Sequence, residues 1–321
     1  MKRILVPTDY SQDAHDTLLY ALEVACLTGS EIVLLHAFYQ PVSYPLGQDY
    51  SAVVNELERE KTMQLEAYAH KVRRSFLCDF SLDFTSVAET GAREKGTLSK
   101  SGFHTVALDR MTARKAEVKI RCVCKFGFAP DEILKAADVH QVDLVVMGMR
   151  GDGALRRALL GRTTLHVMRE AVVPVLAVPL HAPFVGFKSV VFAVDLFRLP
   201  TSAVLQALRQ FVKLFNSHLQ VLHLYHENSL EREKEKALAA LSLLDFQLHD
   251  LHFEVDFKQV EDIAAGIQRY VQEQQADLLV LVPQKHPFLE RLLGKSLTQT
   301  VWSTSDVPIL ALPGGIKEKV G

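Results

Sequence analysis

The stretch "GMRGDGALRRALLGRTT", residues 148–164, follows the apolar run DLVVM and places Gly148, Gly151 and Gly161 in the pattern G-x2-G-x9-G. Residues without side chains let backbone N–H groups approach an anion, and a helix beginning there adds its positive end. A second candidate is Asp9, in "VPTDYS" at the end of the first apolar run. That carboxylate has two readings. It can bond a ribose hydroxyl or a base amine, or it can cap the turn into the first helix together with Ser11. A lone glycine-rich loop is weak, so the elements that carry these residues decide between them.

Other chemistries lack their residues. A Walker A loop needs G-x4-G-K-[ST]; LLGKSL (292–297) ends suitably at Gly294-Lys295-Ser296, but Leu289 stands in the first glycine's place. No G-x-G-x-x-G follows the first strand, and neither G-x-S-x-G nor H-E-x-x-H occurs. His223 and His226 form one H-x-x-H at a strand end, two ligands without a third. His36 and His223 read as satisfied buried histidines, Tyr10 and Phe38 as packing residues, and Arg156 and Arg157 as a solvated helix face.

The elements come in two sets. KRILVPTD (2–9) resembles KSVVFAVD (188–195), EIVLLHAF (31–38) resembles HLQVLHLY (218–225), and DLVVMGMR (143–150) resembles DLLVLVPQ (277–284). ALLGRTTLHVM (158–168) resembles RLLGKSLTQTV (291–301), and PVLAVP (174–179) resembles PILALP (308–313). Five pairs in one order indicate a duplication, with domains at 1–180 and 186–314. In each copy, Val/Ile/Leu-rich runs alternate with segments of helical period. Such runs, apolar on both faces, suit a parallel sheet covered by helices. The expected fold is therefore two tandem doubly wound α/β domains, each with five parallel strands in the order 3-2-1-4-5. Expected elements include a first helix capped by Ser11 and stopped by Gly29, and a long helix at about 51–77. Residues 79–117 have no counterpart in copy two and read as a surface insertion, with SLDFTSV and HTVALD forming a small hairpin.

With that strand order, strands one and four flank the point where ligands bind in open α/β sheets. Asp9 ends strand one and Gly148 ends strand four, so a carboxylate and a glycine loop are expected at one crevice. That pairing predicts a nucleotide, with Gly161, Arg162 and Thr163 near the phosphates.

Composition sets limits. The chain has 321 residues, a formal net charge of −2 and 23% charged residues, so no strong field favours nucleic acid or an anionic membrane. No apolar run approaches the roughly 18–20 residues that span a bilayer. MKRILVPTD reads as a buried strand, not a signal peptide, because Pro7 and Asp9 end it early. Cys26, Cys78, Cys122 and Cys124 form no C-x2-C pair and read as buried free thiols of a reducing, cytoplasmic compartment.

Taken together, the strand-end PTD-x-S, the LLH closing strand two, and MG-x2-G-x9-G before PVL-x-VP resemble the universal stress protein family. The resemblance covers nearly the whole chain as two copies, apart from the insertion. It implies a doubly wound domain that binds ATP or another adenine nucleotide, with or without Mg²⁺, and dimers formed through the last strands. Residue by residue, it puts Pro7, Thr8 and Asp9 beside the adenosine and Ala37 at the base. Met147 and Gly148 fall near the ribose, and Gly151, Gly161 and Thr163 at the phosphates. Arg162 departs from the family pattern, which has serine or threonine there; its guanidinium can pair with phosphate or fill the pocket.

Copy two departs further. Val282 replaces the equivalent of Gly148, and Pro283-Gln284-Lys285-His286-Pro287 replaces the Gly151 region. Copy two is expected not to bind ATP in the family manner, with Asp195 capping the helix that follows. The short uncharged strands at 174–178 and 308–312 are hazardous as free edges, so they are expected to pair within one chain as a pseudo-dimer, which leaves room for a homodimer and for unidentified protein partners. The leading function is a stress-response protein with a regulatory nucleotide in copy one. The alternatives are a slow ATPase and a nucleotide-independent chaperone or interaction scaffold.

Overall fold

The computed structural model describes residues 1–41, 49–90, 118–149, 161–226, 234–283 and 307–314, with the side chains of 78–90 and 234 excluded. Its contacts divide the chain into two compact units, residues 1–143 and 144–321.

In the first unit β1 (Arg3–Pro7) pairs in parallel with β2 (Glu31–Phe38), and β2 with β3 (Ile120–Phe126). Ile4, Leu5 and Val6 are all fully buried, although alternate side chains leave opposite faces of the strand. Burial on both faces is what a helix-covered parallel strand requires. Helix α1 (Gln12–Thr28) starts where the Ser11 side chain accepts from the Ala14 N–H at 3.2 Å. It ends at Gly29, whose left-handed φ of 66° lets its N–H bond back to the Ala25 carbonyl. Both ends match the sequence expectation.

Helix α2 runs Tyr50–Thr90. The hairpin expected from SLDFTSV (81–87) does not form, because no glycine or proline interrupts residues 50–90 and the first breaker is Gly91. HTVALD lies outside the described residues. Helix α3 (Ala129–Val139) then leads to Asp143, whose N–H donates to the Arg3 carbonyl and whose carboxylate accepts from the Lys2 and Arg3 amides.

The second unit opens with β4 (Leu144–Gly148), α4 (Arg162–Glu170) and β5 (Val175–Val178), with β4 and β5 parallel. It continues through β6 (Ser189–Ala193), α5 (Ser202–Phe215), β7 (His218–Tyr225) and α6 (Lys234–Gln247). The last described elements are β8 (Phe253–Gln259), α7 (Ile263–Glu273), β9 (Leu278–Leu281) and β10 (Ile309–Ala311). Strands of copy two lie in the order β8-β7-β6-β9-β10, the expected 3-2-1-4-5, all parallel. In copy one, β3-β2-β1 and the β4-β5 pair follow the same scheme within their units. Asp277 repeats the role of Asp143: its carboxylate accepts from the Lys188 and Ser189 amides, and its N–H donates to the Ser189 carbonyl. Each aspartate, Asp143 and Asp277, thus holds the start of the first strand of its own copy.

β5 pairs antiparallel with β10, with Leu176 opposite Leu310. These two leucines occupy equivalent places in PVLAVP and PILALP, so the pairing is locally two-fold. Both are fully buried. Each edge covers the other, as edge-strand physics demands.

Candidate functional site

At the end of β1 the chain turns through Pro7, Thr8 and Asp9. The Thr8 N–H donates to the Leu35 carbonyl at 2.8 Å, and the Thr8 carbonyl accepts from His36 Nδ1 at 2.9 Å, which fixes the proton of that ring on Nδ1. The buried Thr8 hydroxyl accepts from the Tyr10 N–H at 3.1 Å. That bond accompanies a left-handed backbone at Tyr10, φ 64°, a conformation unfavourable for a bulky residue and held here by its surroundings. The Tyr10 ring lies 4.5 Å from the His36 ring and 5.2 Å, edge-on, from Tyr68 of α2. Burial pushes the Tyr10 hydroxyl up to about 12, with Cys124 and Cys122 adding to it. Exposed Asp9 accepts through Oδ1 from the Ser11 N–H (3.0 Å) and hydroxyl (2.5 Å). The turn role foreseen for Asp9 is therefore present. Ala37 lies next to His36 on β2, partly exposed and in register with Lys125 of β3.

The glycine pattern is described at both ends, and Gly151 lies outside the described residues with 150–160. Met147 and Gly148 close β4, Met147 buried and Gly148 in register with Val178. Gly161 is the N-cap of α4, and its N–H donates to the Met149 carbonyl at 2.7 Å. The buried Thr164 hydroxyl donates to the Gly148 carbonyl at 2.9 Å. These two bonds dock the start of α4 on the end of β4. The helix ladder begins with the Leu165 N–H on the Gly161 carbonyl. The amides of Arg162, Thr163 and Thr164 precede it, the N-terminal donors that have no carbonyl within the helix to bond. Because the Gly161 amide is engaged by Met149, what Gly161 supplies is approach without a side chain. Arg162 is exposed and Thr163 partly exposed.

Sequence reasoning overlooked Thr164. Its signal was available: it is the third residue after the glycine that caps α4. Tyr10 was assigned to packing, and nothing in a linear string reports its left-handed backbone.

Copy two arranges the equivalent residues differently. Asp195 accepts through Oδ1 from the Phe197 N–H at 3.0 Å, the capping role expected of it, and a 3-10 turn (Leu196–Arg198) follows. The Phe197 ring lies 4.6 Å from the His223 ring, which is 1% exposed, whereas His36 is partly open. His223 Nδ1 accepts from the Leu196 N–H, and His226 Nδ1 donates to the Val260 carbonyl. Val282 is buried. Among the described residues Cys26, Cys122 and Cys124 are free thiols, and burial pushes Cys122 up to about 12. No helix among them is long and apolar enough to cross a membrane.

A sequence model of one family matches residues 1–179 and again residues 186–313. The chain belongs to the universal stress protein family. Universal stress protein MJ0577 of Methanocaldococcus jannaschii is 26% identical over 177 residues, 55% of this chain and 94% of that protein. A universal stress protein of Thermus aquaticus is 29% identical over 179 residues, 55% of this chain and 98% of its own length. Among solved structures, a universal stress protein from Archaeoglobus fulgidus is similar with a TM-score of 0.58 at 16% identity, covering 98% of both chains. One from Pseudomonas aeruginosa has a TM-score of 0.55 at 16% identity, covering 98% of this chain and 93% of its own. At such identities these structures speak to the fold alone.

Proposed function

We propose that this universal stress protein binds ATP or a related adenine nucleotide, with or without Mg²⁺, in its first copy as a regulatory ligand. The copies are taken as residues 1–180 and 186–314. The observation that carries the reading is the start of α4, where Gly161 caps the helix and Thr164 ties it to Gly148. Three amides precede the ladder there, and an exposed Arg162 adds positive charge, a donor set that suits phosphate oxygens. The family motif assigns Met147, Gly148, Gly151, Gly161, Arg162 and Thr163 to the ribose and phosphates. It assigns Pro7, Thr8, Asp9 and Ala37 to the adenosine. Asp9, exposed at the end of β1, has the acceptor chemistry for a ribose hydroxyl or base amine.

Copy two is proposed to be silent. His223 is buried where copy one has the partly open His36, and Val282 stands in the place of Gly148. A reducing cytoplasmic setting goes with free thiols at Cys26, Cys122 and Cys124.

Calorimetric titration of ATP with Mg²⁺ into the full chain tests this, beside a Gly148→Val variant that puts a branched side chain at the end of β4. One site per chain, lost in the variant, is the expected result. Two sites per chain would overturn the silence of copy two. No heat and no thermal stabilisation would overturn nucleotide binding and favour a scaffold. Steady phosphate release would replace the regulatory reading with slow hydrolysis.

A further inference from the structure

Among the described residues, five other than glycine have a left-handed backbone. Four stand where that conformation is ordinary. Asn216 is the C-cap of α5, Gln141 and Gln275 follow the C-caps of α3 and α7, and His181 lies in the turn after β5. Tyr10, at φ 64°, is the exception. It stands between the end of β1 and the N-cap of α1, where no helix is ending. A β-carbon makes this backbone unfavourable, and tyrosine, unlike asparagine, has no short polar side chain to bond locally.

Three neighbours hold it there. The buried Thr8 hydroxyl accepts from the Tyr10 N–H, the His36 ring packs against the Tyr10 ring, and Tyr68 meets it edge-on. Copy two has the same turn relaxed. Val194 stands in the place of Thr8 and offers no hydroxyl, and Leu196 stands in the place of Tyr10. The Leu196 N–H goes to His223 Nδ1 at 3.2 Å instead, and the buried leucine opens a 3-10 turn. The chain therefore keeps the strained turn in one copy only, beside the aspartate that the family motif assigns to adenosine. Strain of this kind gathers where a ligand is held.

Tyr10 lies between Asp9 and Ser11, and these two are tied: Asp9 Oδ1 accepts from the Ser11 N–H and from its hydroxyl. Rotation about φ of Tyr10 moves Ser11 and, through those two bonds, turns the carboxylate. Thr8 stays where it is, held to β2 through the Leu35 carbonyl.

We infer that Tyr10 is a positioning residue for the nucleotide: its left-handed backbone, and not its ring, sets the direction in which Asp9 presents its carboxylate. This role rests on nucleotide binding by the first copy.

Calorimetric titration of the full chain with ATP, with ITP, and with the two deoxy analogues that each lack one ribose hydroxyl tests it. Tyr10→Gly and Tyr10→Asn accept a left-handed backbone without the ring, whereas Tyr10→Ile, branched at Cβ, opposes it. The parent chain is expected to prefer ATP to ITP, which lacks the base amine, or to one of the deoxy analogues. The glycine and asparagine variants are expected to keep both the affinity and the preference. The isoleucine variant is expected to bind ATP about tenfold more weakly, the loss of one hydrogen bond to a carboxylate, and to lose the preference. Melting temperatures report folding, and Tyr10→Val repeats the test with a smaller branched side chain should the isoleucine variant fail to fold. Equal weakening in all the variants would assign the role to the ring and overturn the inference. An isoleucine variant with affinity or preference intact, or a parent chain that binds all four nucleotides alike, would overturn it equally. A parent chain that binds no ATP would overturn nucleotide binding itself, and this role with it.

Discussion

The β5–β10 seam gives the sharpest energetic test of the tandem architecture. Leu176 and Leu310 are fully buried and directly opposite each other. Truncating a fully buried leucine to alanine costs about 2–5 kcal/mol, the transfer term plus the cavity left behind. Leu176→Ala and Leu310→Ala are each expected near 3 kcal/mol on that scale. The two vacated volumes adjoin, so the second truncation enlarges a cavity whose walls have already begun to relax. The double variant should therefore cost less than the sum of the singles, by about 1 kcal/mol, within the range found for touching pairs. Urea unfolding of the parent, both singles and the double closes the cycle, with unchanged slopes required for the comparison. Simple additivity with each single below about 1 kcal/mol, the size of a surface substitution, would refute the pairing of the two edges.

Thr164→Val keeps shape but removes the donor to the Gly148 carbonyl. It is expected to cost about 1–2 kcal/mol in urea unfolding and to weaken ATP binding, whereas Thr164→Ser retains binding. Equal affinity in both variants would dissociate the α4 docking from the site. Gly29→Ala meets no atom within 4 Å, so its cost is conformational alone, about 1 kcal/mol for a left-handed residue; an unchanged melting temperature would contradict the cap. Asp143→Ala and Asp277→Ala remove equivalent two-amide acceptors and are expected to destabilise similarly, by about 1–2 kcal/mol each. Loss in only one copy would show the repeats to be energetically unlike. The Cys122 thiol ionises near pH 9 when unfolded and only at about 12 when folded, because burial disfavours the thiolate. Its contribution to stability is complete below pH 9 and falls as pH rises toward 12, since the unfolded chain ionises first. Urea midpoints measured across that window should fall less in Cys122→Ser than in the parent, and parallel curves would refute the shift.

The linear chain already carried its own plan. Two ordered sets of apolar runs announced a duplication and a parallel sheet, because burial on both faces leaves a strand no polar positions to alternate. Ser11 and Gly29 announced the ends of α1 through local chemistry that needs no distant partner. The last glycine of the G-x2-G-x9-G spacing announced the start of α4 for the same reason.

What stayed illegible depended on neighbours distant in sequence. The hairpin expected at SLDFTSV gave way to a helix reaching Thr90, since β-prone residues follow whichever ladder is already running when no breaker intervenes. The Gly161 amide went to the Met149 carbonyl, a choice fixed only when α4 docks on β4. Thr8 and His36 settled the turn that holds Tyr10 in a left-handed conformation, and the 3-10 turn that follows Asp195 set Phe197 beside His223 in copy two. Sequence period determines which face of an element is apolar. Only tertiary structure decides what covers that face, because burial is a property of two surfaces and the chain is read one residue at a time.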